Sequence, residues 1–257
     1  MVKAIFFDID GTLVSFETHR IPVSTVEAFD RLRERGIRLF VASGRHRAVM
    51  NNLGTLRFDG YVTLNGGVCL AGDEVIYERF LPEADIESLV RYLEGSGAFP
   101  CVFVDGESSC MNYRDEATET IFRLMNFPVP PVRALLEIAG KRYYQLLAFF
   151  RKEEEERIMR VIPGCEATRW NPLFTDIVPA GSSKRVGLAE MCRHYGFRPE
   201  ETMAFGDGGN DIEMLRFAGI GVAMGNAAEE VKGAVDYVTA SVDEDGIARA
   251  LRHFGLI

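Results

Sequence analysis

Cysteine is scarce in this sequence, and its spacing excludes two common kinds of site. Five cysteines are spread over 257 residues, so their number is odd, and no two of them have CxxC spacing. Disulfide-stapled secreted domains and structural zinc sites both need paired or clustered cysteines. The sequence therefore indicates neither a disulfide framework nor a zinc site, and it favours a reducing compartment.

Long apolar runs are also missing. No segment approaches the roughly 20 apolar residues that a membrane-spanning helix needs. Asp8 and Asp10 interrupt the apolar stretch near the start of the sequence, whereas a secretory signal peptide has an unbroken apolar centre. We therefore expect a cytoplasmic protein with no membrane partner.

Positive charge is in the minority. The sequence has 29 Lys and Arg against 38 Asp and Glu, which gives a formal net charge of -9 at pH 7. Because nucleic-acid binding proteins present a basic face to phosphates, we expect no nucleic-acid partner. The apolar fraction of 47% is typical of globular proteins, and the length suits one large domain or two modest ones.

What the sequence does contain is a pair of acidic residues at the end of an apolar strand. The run from Lys3 to Phe7 is short and mostly apolar, as in strands buried within a parallel sheet, and Asp8, Asp10 and Gly11 follow it. Ligands bind at the carboxyl ends of such strands. A bend after Ile9, which Gly11 permits, would separate the two carboxylates. Taken alone, the pattern also fits a solvated acidic turn.

Three later segments repeat this arrangement. An apolar strand over residues 39–42 ends at residues 43–45 in a serine, a glycine and an arginine. Lys184 opens an amphipathic helix, and a helix N-terminus favours anions. A strand over residues 203–205 ends in the glycines and acids of residues 206–211. Each segment alone fits a turn or a helix cap, but the whole set in this order rarely arises by chance.

Together these motifs resemble the haloacid dehalogenase-like phosphohydrolases, and among them the Cof-type group with a large cap between the second and third motifs. The matching segments span essentially the whole chain: residues 8–12, 43–45, 184 and 206–211. Weaker similarities occur at residues 65–67, 224–227 and 245–246. The sequence departs from the family at Arg185, where a glycine usually follows the lysine of the third motif.

The resemblance implies an α/β fold, namely a doubly wound parallel sheet of Rossmann-like type with an inserted α/β cap domain. The sequence agrees, because residues 1–81 and 182–257 alternate strand and helix patterns, while residues 82–181 form a separate module. We therefore expect a catalytic core over the two outer segments and a cap over the inserted one, which would read the leaving group. Candidate cap residues also fit core or surface roles: Asn112, Tyr113, Trp170 and Asp176.

The resemblance further implies a phosphatase mechanism. Asp8 would attack phosphorus and form an aspartyl-phosphate, which divides one difficult displacement into two easier ones. Asp10 would protonate the leaving group and then take a proton from the attacking water. The expected substrate is a small phosphorylated metabolite, with a sugar phosphate as the first candidate.

The family also implies a Mg²⁺ cofactor. Its expected ligands are Asp8 and Asp207 through their carboxylates and Asp10 through its main-chain carbonyl. The expected phosphate-binding residues are Ser43, Gly44, Lys184 and Asn210. Three further residues are expected to support the site: Thr12, Arg45 and Asp211, the last by orienting a bound water or Lys184.

Two other functions use similar residues. A receiver-type signalling module holds a phosphoaspartate with an acidic pair, a hydroxyl and a lysine, but it is shorter, lacks a cap and needs no acid at the position of Asp10. A phosphomutase of the same fold would return the phosphoryl group to a sugar. Requirement for a bisphosphate activator separates a mutase from a phosphatase. The identity of the substrate and the oligomeric state do not follow from the sequence.

Overall fold

The structure, a computed structural model, describes the whole chain except residues 55, 96–97, 107 and 125–127 and the side chains at positions 170 and 171. The chain forms two compact units. The larger unit contains residues 1–45, 50–78 and 183–257, and the smaller unit contains residues 46–49 and 79–182. The inserted domain predicted over residues 82–181 lies within the span of the smaller unit.

The helices and strands follow one another in two long alternating series. The first part of the larger unit contains β1 (Ala4–Phe7), α1 (Val23–Glu34), β2 (Arg38–Ala42), β3 (Gly60–Thr63), β4 (Val68–Ala71) and β5 (Glu74–Glu78). The smaller unit contains α2 (Glu83–Gly95), β6 (Cys101–Val104), β7 (Ser109–Met111), α3 (Glu116–Leu124), α4 (Leu135–Ile138), β8 (Gln145–Ala148), α5 (Glu155–Met159), β9 (Cys165–Asn171) and β10 (Phe174–Pro179). The larger unit then resumes with α6 (Lys184–Tyr195), β11 (Thr202–Gly206), α7 (Ile212–Phe217), β12 (Ile220–Ala223), α8 (Glu229–Lys232), β13 (Tyr237–Val238) and α9 (Gly246–His253).

The larger unit is built on an eight-stranded sheet of order β13-β12-β11-β1-β2-β3-β4-β5. The six strands from β13 to β3 run parallel, as the sequence predicts, and the β4–β5 hairpin extends the β3 edge in antiparallel fashion. The central strand β1 lies between β11 and β2, so the connections leave it in opposite directions. In open α/β sheets, this reversal of strand order creates a crevice at the carboxyl ends of the strands.

Helices cover both faces of this sheet because the central strands are apolar on both sides. On one face, Phe7 stacks on Phe205 with ring centroids 5.2 Å apart and packs near Phe29 of α1. On the opposite face, Phe6 stacks on Phe40 at 4.8 Å. The first face is covered by apolar residues of α1 and α9, and the second by those of α6 and α7. Double burial of this kind is typical of a parallel sheet.

The smaller unit has its own sheet and its own core. Its five strands pair in the order β7-β6-β8-β10-β9, and each of these four neighbouring pairs is antiparallel. Apolar side chains of α2, including Ile86 and Leu89, pack with strand residues such as Phe103 and Leu146. Among the described residues, no helix combines the length and the apolar character needed to cross a membrane.

One detail differs from the expectations drawn from the sequence. The apolar pattern over residues 142–150 predicts a nine-residue strand, but β8 covers only four residues. Tyr143 and Tyr144 lie beside β8, where Tyr143 donates its hydroxyl hydrogen to the Ile138 carbonyl, and Tyr144 stacks on Phe80 at 4.1 Å. The strand begins only after these two aromatic residues, whose side chains make their contacts outside the sheet.

Candidate active site

Three neighbouring strands place the predicted residues side by side. Asp8 follows β1, Ser43 follows β2 and Asp207 follows β11. The parallel register aligns Phe7 with both Phe205 and Val41, so the three strands end at the same edge of the sheet. The Asp8 amide donates to the Phe205 carbonyl at 3.0 Å, which fixes the chain where it leaves the sheet.

A tight turn after β1 brings the chain against Asp207. Gly11 has a φ of +81°, and a Cβ at this position would lie 2.2 Å from Asp207 Oδ2. Only glycine fits both this backbone conformation and this close approach. The neighbouring Thr12 is fully buried and donates its hydroxyl hydrogen to Asp207 Oδ1 at 2.8 Å. Thr12 therefore orients Asp207 as well as belonging to the turn.

Lys184 is buried at the centre of the carboxylates. Its Nζ lies 2.6 Å from Asp8 Oδ1 and 2.6 Å from Asp211 Oδ1. The second oxygen of Asp211 accepts hydrogen bonds from the backbone amides of Asp207 and Gly208, at 3.0 and 2.9 Å. Both oxygens of Asp211 are thus engaged within the protein, which suits a residue that positions Lys184.

This packing shifts the pKa values of the buried groups. Burial raises the pKa of Asp8 well above its usual value, and the charge of Lys184 offsets only part of this effect, while the neighbouring carboxylates raise it further. Burial and the charge of Asp211 together raise the pKa of Asp207 to about 7. Burial opposes the charge on Lys184, but Asp211 and Asp8 outweigh it and raise the pKa of the lysine. One ammonium does not neutralise three carboxylates.

A divalent cation fits this arrangement. The carboxylates of Asp8, Asp207 and Asp211 offer oxygens that all lie within 4.8 Å of one another. Carboxylate oxygens are the ligands that Mg²⁺ prefers, and uncompensated negative charge favours binding of a cation. Because Asp211 is already bonded to Lys184 and to two amides, Asp8 and Asp207 are the better ligand candidates.

The raised pKa of Asp207 predicts how pH acts on the metal-free protein. The folded pKa of about 7 exceeds the ordinary value of 3.8, so between these pH values the folded state holds a proton that the unfolded state has lost. The free energy of unfolding should therefore fall as pH rises through this window. A metal ligand must be deprotonated, so Mg²⁺ should stabilise the protein more at pH about 8 than at about 5.5. Thermal unfolding with Mg²⁺ and with chelator at both pH values measures this, and a Mg²⁺ shift independent of pH would contradict it.

Arg45 pairs with the second acid of the first motif. Its Nε and Nη2 each lie 2.6 Å from an oxygen of Asp10, which forms a two-pronged ion pair. The side chain of Arg45 is 7% exposed and that of Asp10 is 19% exposed. The sequence predicts a supporting role for Arg45 but does not say which residue it contacts. The structure shows that this residue is Asp10. A fork of this kind fixes the direction of the carboxylate as well as its charge.

The remaining predicted residues lie on the same side of the site. The Ser43 hydroxyl is buried and accepts a hydrogen bond from the Arg45 amide at 3.1 Å, across Gly44. Asn210 precedes Asp211 and donates from Nδ2 to Asn65 Oδ1 at 3.0 Å. The structure thus brings the four predicted phosphate-binding residues, Lys184 among them, to one edge of the sheet, and their roles stay predictions.

Two asparagines that sequence reasoning left without a role form hydrogen bonds to side chains of the candidate site. Asn226 donates from Nδ2 to Asp207 Oδ2 at 3.2 Å and to the Gly11 carbonyl at 2.9 Å. Its Oδ1 accepts from the Val242 amide at 3.1 Å. Asn65 contacts Asn210 as described above. Both residues lie in short motifs with weak similarity to the family, at residues 65–67 and 224–227. That similarity is the sequence feature that could have indicated them.

The candidate residues of the smaller unit have other contacts. Asn112 donates to the Phe99 carbonyl and accepts from the amides of Cys101 and Tyr113, so its amide group is engaged within the unit. The Tyr113 hydroxyl donates to the Ala98 carbonyl. Asp176 is 3% exposed, and the side chain of Trp170 lies outside the described part of the chain.

Arg185, the departure from the family pattern, lies on the surface. Its side chain is exposed, and its guanidinium carbon lies 5.3 Å from the centre of the Phe217 ring. This is a cation–π distance. The arginine therefore contacts the neighbouring helix α7.

Comparison with known proteins identifies the family. The sequence model of the haloacid dehalogenase-like hydrolases matches residues 5–251. The solved structure of the sugar phosphatase BT4131, described as subclass IIB of this superfamily, is similar with a TM-score of 0.94, 47% identity and complete coverage of both chains. BT1666 from Bacteroides thetaiotaomicron, also described as a phosphatase of the superfamily, has a TM-score of 0.92 and 39% identity, over 100% of this chain and 96% of that one.

A curated relative gives the same assignment. YkrA of Bacillus subtilis (strain 168), which is provisionally named a phosphatase, is 37% identical over 99% of this chain and 98% of its own length. The resemblance seen in the motifs and the α/β fold with an inserted domain are both confirmed. The chain therefore belongs to the haloacid dehalogenase-like hydrolase family, and it is an enzyme of the phosphatase type.

Proposed function

We propose that this enzyme is a Mg²⁺-dependent phosphatase that hydrolyses small phosphomonoesters, in the first place sugar phosphates, through an aspartyl-phosphate on Asp8. The observation that carries the proposal is the buried Lys184, which contacts Asp8 and Asp211 at 2.6 Å each at the end of the central strand. Asp10, held by Arg45, supplies a second carboxylate two residues after the proposed nucleophile. A nucleophile, a cation and an acid are the groups that such a displacement needs.

In the first step, a carboxylate oxygen of Asp8 attacks phosphorus while the bond between phosphorus and the ester oxygen breaks. Asp10 gives its proton to the departing alkoxide, so a neutral alcohol leaves. The phosphoryl oxygens would accept hydrogen bonds from the ammonium of Lys184, the hydroxyl of Ser43 and the side-chain amide of Asn210. Catalysis of phosphoryl transfer rests mainly on such positioning and charge neutralisation.

In the second step, water attacks phosphorus and the bond to Asp8 breaks. Asp10, now ionised, takes the proton of that water, and inorganic phosphate is released with Asp8 regenerated. Arg45 would keep the Asp10 carboxylate directed the same way in both steps, because its two N–H groups grip both oxygens. Asp10 is therefore protonated at the start of the cycle and protonated again at its end.

The residues present fit a Mg²⁺ ion. Asp8 and Asp207 would hold it through their carboxylates, and Asp10 would do so through its main-chain carbonyl. When bound, Mg²⁺ supplies positive charge against the phosphoryl oxygens and balances the carboxylates that burial leaves uncompensated. Thr12 and Asn226 keep the two oxygens of Asp207 in fixed positions, so this ligand is oriented before any ion binds.

Two finer assignments belong to the proposal. Leaving-group recognition is assigned to the inserted domain over residues 82–181, and the preference for sugar phosphates is supported by the similarity to the sugar phosphatase BT4131, which is 47% identical. A cytoplasmic location is supported by the five cysteines, all of which are free thiols, as is usual in a reducing compartment.

Phosphate release tests the proposal directly. Wild-type protein is incubated with a panel of phosphorylated sugars, nucleotides and cofactors, with Mg²⁺ and with chelator. Release that requires Mg²⁺ and is fastest with sugar phosphates is expected. Conversion of a sugar phosphate into its isomer, dependent on a bisphosphate activator and without net release of phosphate, would point to a phosphomutase. Absence of release from every compound by the folded protein would overturn the proposal.

The role of Asp10 gives a second prediction. Asp10→Asn should lower kcat by about 10² to 10⁴-fold with a sugar phosphate, because an alkoxide needs a proton to leave. The loss in the first step should be much smaller with an aryl phosphate such as p-nitrophenyl phosphate, since a phenolate leaves without protonation. Pre-steady-state bursts of p-nitrophenolate measure this step separately. Equal losses for both substrates would contradict the role of general acid.

A further inference from the structure

The loop after β3 contains three consecutive residues with left-handed backbone. Leu64, Asn65 and Gly66 have φ values of +53°, +52° and +86°. Glycine adopts such values readily and asparagine does so at moderate cost, but leucine rarely does. Such a turn persists only when surrounding contacts fix it, and in this protein those contacts come from segments of the candidate active site.

The turn is held by segments that the proposed function assigns to phosphate binding. The Asn65 amide donates to the Ser43 carbonyl at 3.1 Å, and the Leu64 amide donates to the Arg45 carbonyl at 3.2 Å. A Cβ on Gly66 would lie 2.1 Å from the carbonyl oxygen of Ser183, the residue before Lys184. The turn therefore contacts both the serine motif and the start of helix α6.

The side chain of Asn65 reaches the third of these segments. Asn65 is 2% exposed, and its Oδ1 accepts a hydrogen bond from Asn210 Nδ2 at 3.0 Å. Asn210 and Asn65 are 145 residues apart in the sequence. One buried residue thus joins the segments that carry Ser43, Lys184 and Asn210.

We infer that Asn65 is a positioning residue, which orients the Asn210 amide toward the transferring phosphoryl group; the inference rests on the proposed function. A carboxamide can present either its oxygen or its NH₂ group, and phosphate oxygens can only accept hydrogen bonds. Because Asn65 Oδ1 accepts one N–H of Asn210, it selects the orientation of the amide and leaves the second N–H for a phosphate oxygen. Asn65 acts through Asn210 and does not itself contact the phosphoryl group.

The test separates the side chain of Asn65 from its backbone. Asn65→Gly keeps the left-handed conformation accessible and removes only the side chain. Binding of inorganic phosphate in the presence of Mg²⁺, measured by calorimetry, should weaken about 10-fold, as is usual when a residue that orients a ligand-binding group is removed. Asp245→Gly is the matched control, since Asp245 has a similar φ of +62° and its carboxylate accepts a hydrogen bond from Ser24, away from these segments.

A double-mutant cycle decides whether Asn65 acts through Asn210. The constants for phosphate binding and kcat/KM are compared for Asn65→Gly, Asn210→Ala and the double variant. If Asn65 only orients Asn210, the double variant should be no worse than Asn210→Ala. Additive losses, or unchanged phosphate binding by Asn65→Gly, would overturn the inference. Phosphate binding does not require turnover, so failure of the wild type to hydrolyse any ester would count against the proposed function alone.

Discussion

Asp8→Asn is expected to abolish turnover, with kcat lowered about 10⁴-fold or more, as is found when a catalytic nucleophile is removed. The amide cannot form the bond to phosphorus that the proposed first step requires. Phosphate release from a sugar phosphate and trapping of a labelled phosphoenzyme measure the two consequences. Substantial residual turnover, or labelling of the variant to the wild-type level, would contradict the assignment of Asp8 as nucleophile.

The same variant should not lose stability. Asp8, Asp207 and Asp211 surround the single ammonium of Lys184, so three negative charges and one positive charge leave a formal charge of -2 when all are ionised. Replacing Asp8 by asparagine lowers that excess while keeping the shape of the side chain. We therefore expect the free energy of unfolding of the metal-free protein to stay the same or to increase, since like charges buried together repel.

Urea denaturation with chelator measures this second effect. Asp30→Asn on the exposed side of α1 is the matched control, because it removes the same charge from a solvated position. The control should keep both the activity and the stability of the wild type. A clearly less stable Asp8→Asn would contradict the charge argument. If that variant is also unfolded under the assay conditions, its inactivity would no longer support the nucleophile assignment.

Much of this site can be predicted from local sequence patterns, because several of its residues directly follow the ends of strands. An apolar run buried on both faces needs a parallel sheet, and the chain can present polar side chains only where such a strand ends. Asp8 after β1 and Asp207 after β11 therefore meet at the sheet edge once the two strands pair. The helix beginning at Lys184 follows in the same way from its amphipathic pattern. Local rules suffice where position on a strand fixes position in space.

The contacts between these segments could not be predicted in this way. The ion pair of Arg45 with Asp10 spans 35 residues, and the hydrogen bond of Asn65 with Asn210 spans 145. No periodicity encodes such pairs, because they depend on loop conformations. The left-handed Leu64 illustrates the reason, since its backbone runs against the local preference of leucine and is set by the surrounding contacts. The antiparallel β4–β5 hairpin was likewise hidden, because its strands alternate weakly.

Lys184→Met is expected to have the largest effect on stability. The lysine is 1% exposed and forms ion pairs with Asp8 and Asp211, so its removal leaves two carboxylates buried without this cation. Removing one partner of a buried ion pair costs about 3 to 5 kcal/mol. Urea denaturation of the metal-free variant should show this loss. Phosphate release should also disappear, since a cation that would face the phosphoryl oxygens is gone.

Charge, rather than packing, should explain that loss, and a second substitution separates the two. In Lys184→Met with Asp211→Asn, the buried carboxylates carry one negative charge fewer than in Lys184→Met alone. Much of the lost stability should therefore return, although the methionine remains. Activity should not return, because the ammonium is still absent. Arg185→Met is the control: it removes an exposed positive charge from the next position of the same helix and should change stability by less than about 0.5 kcal/mol. If the double variant is as unstable as Lys184→Met, the lysine stabilises the fold through its packing, and the electrostatic account of this site fails.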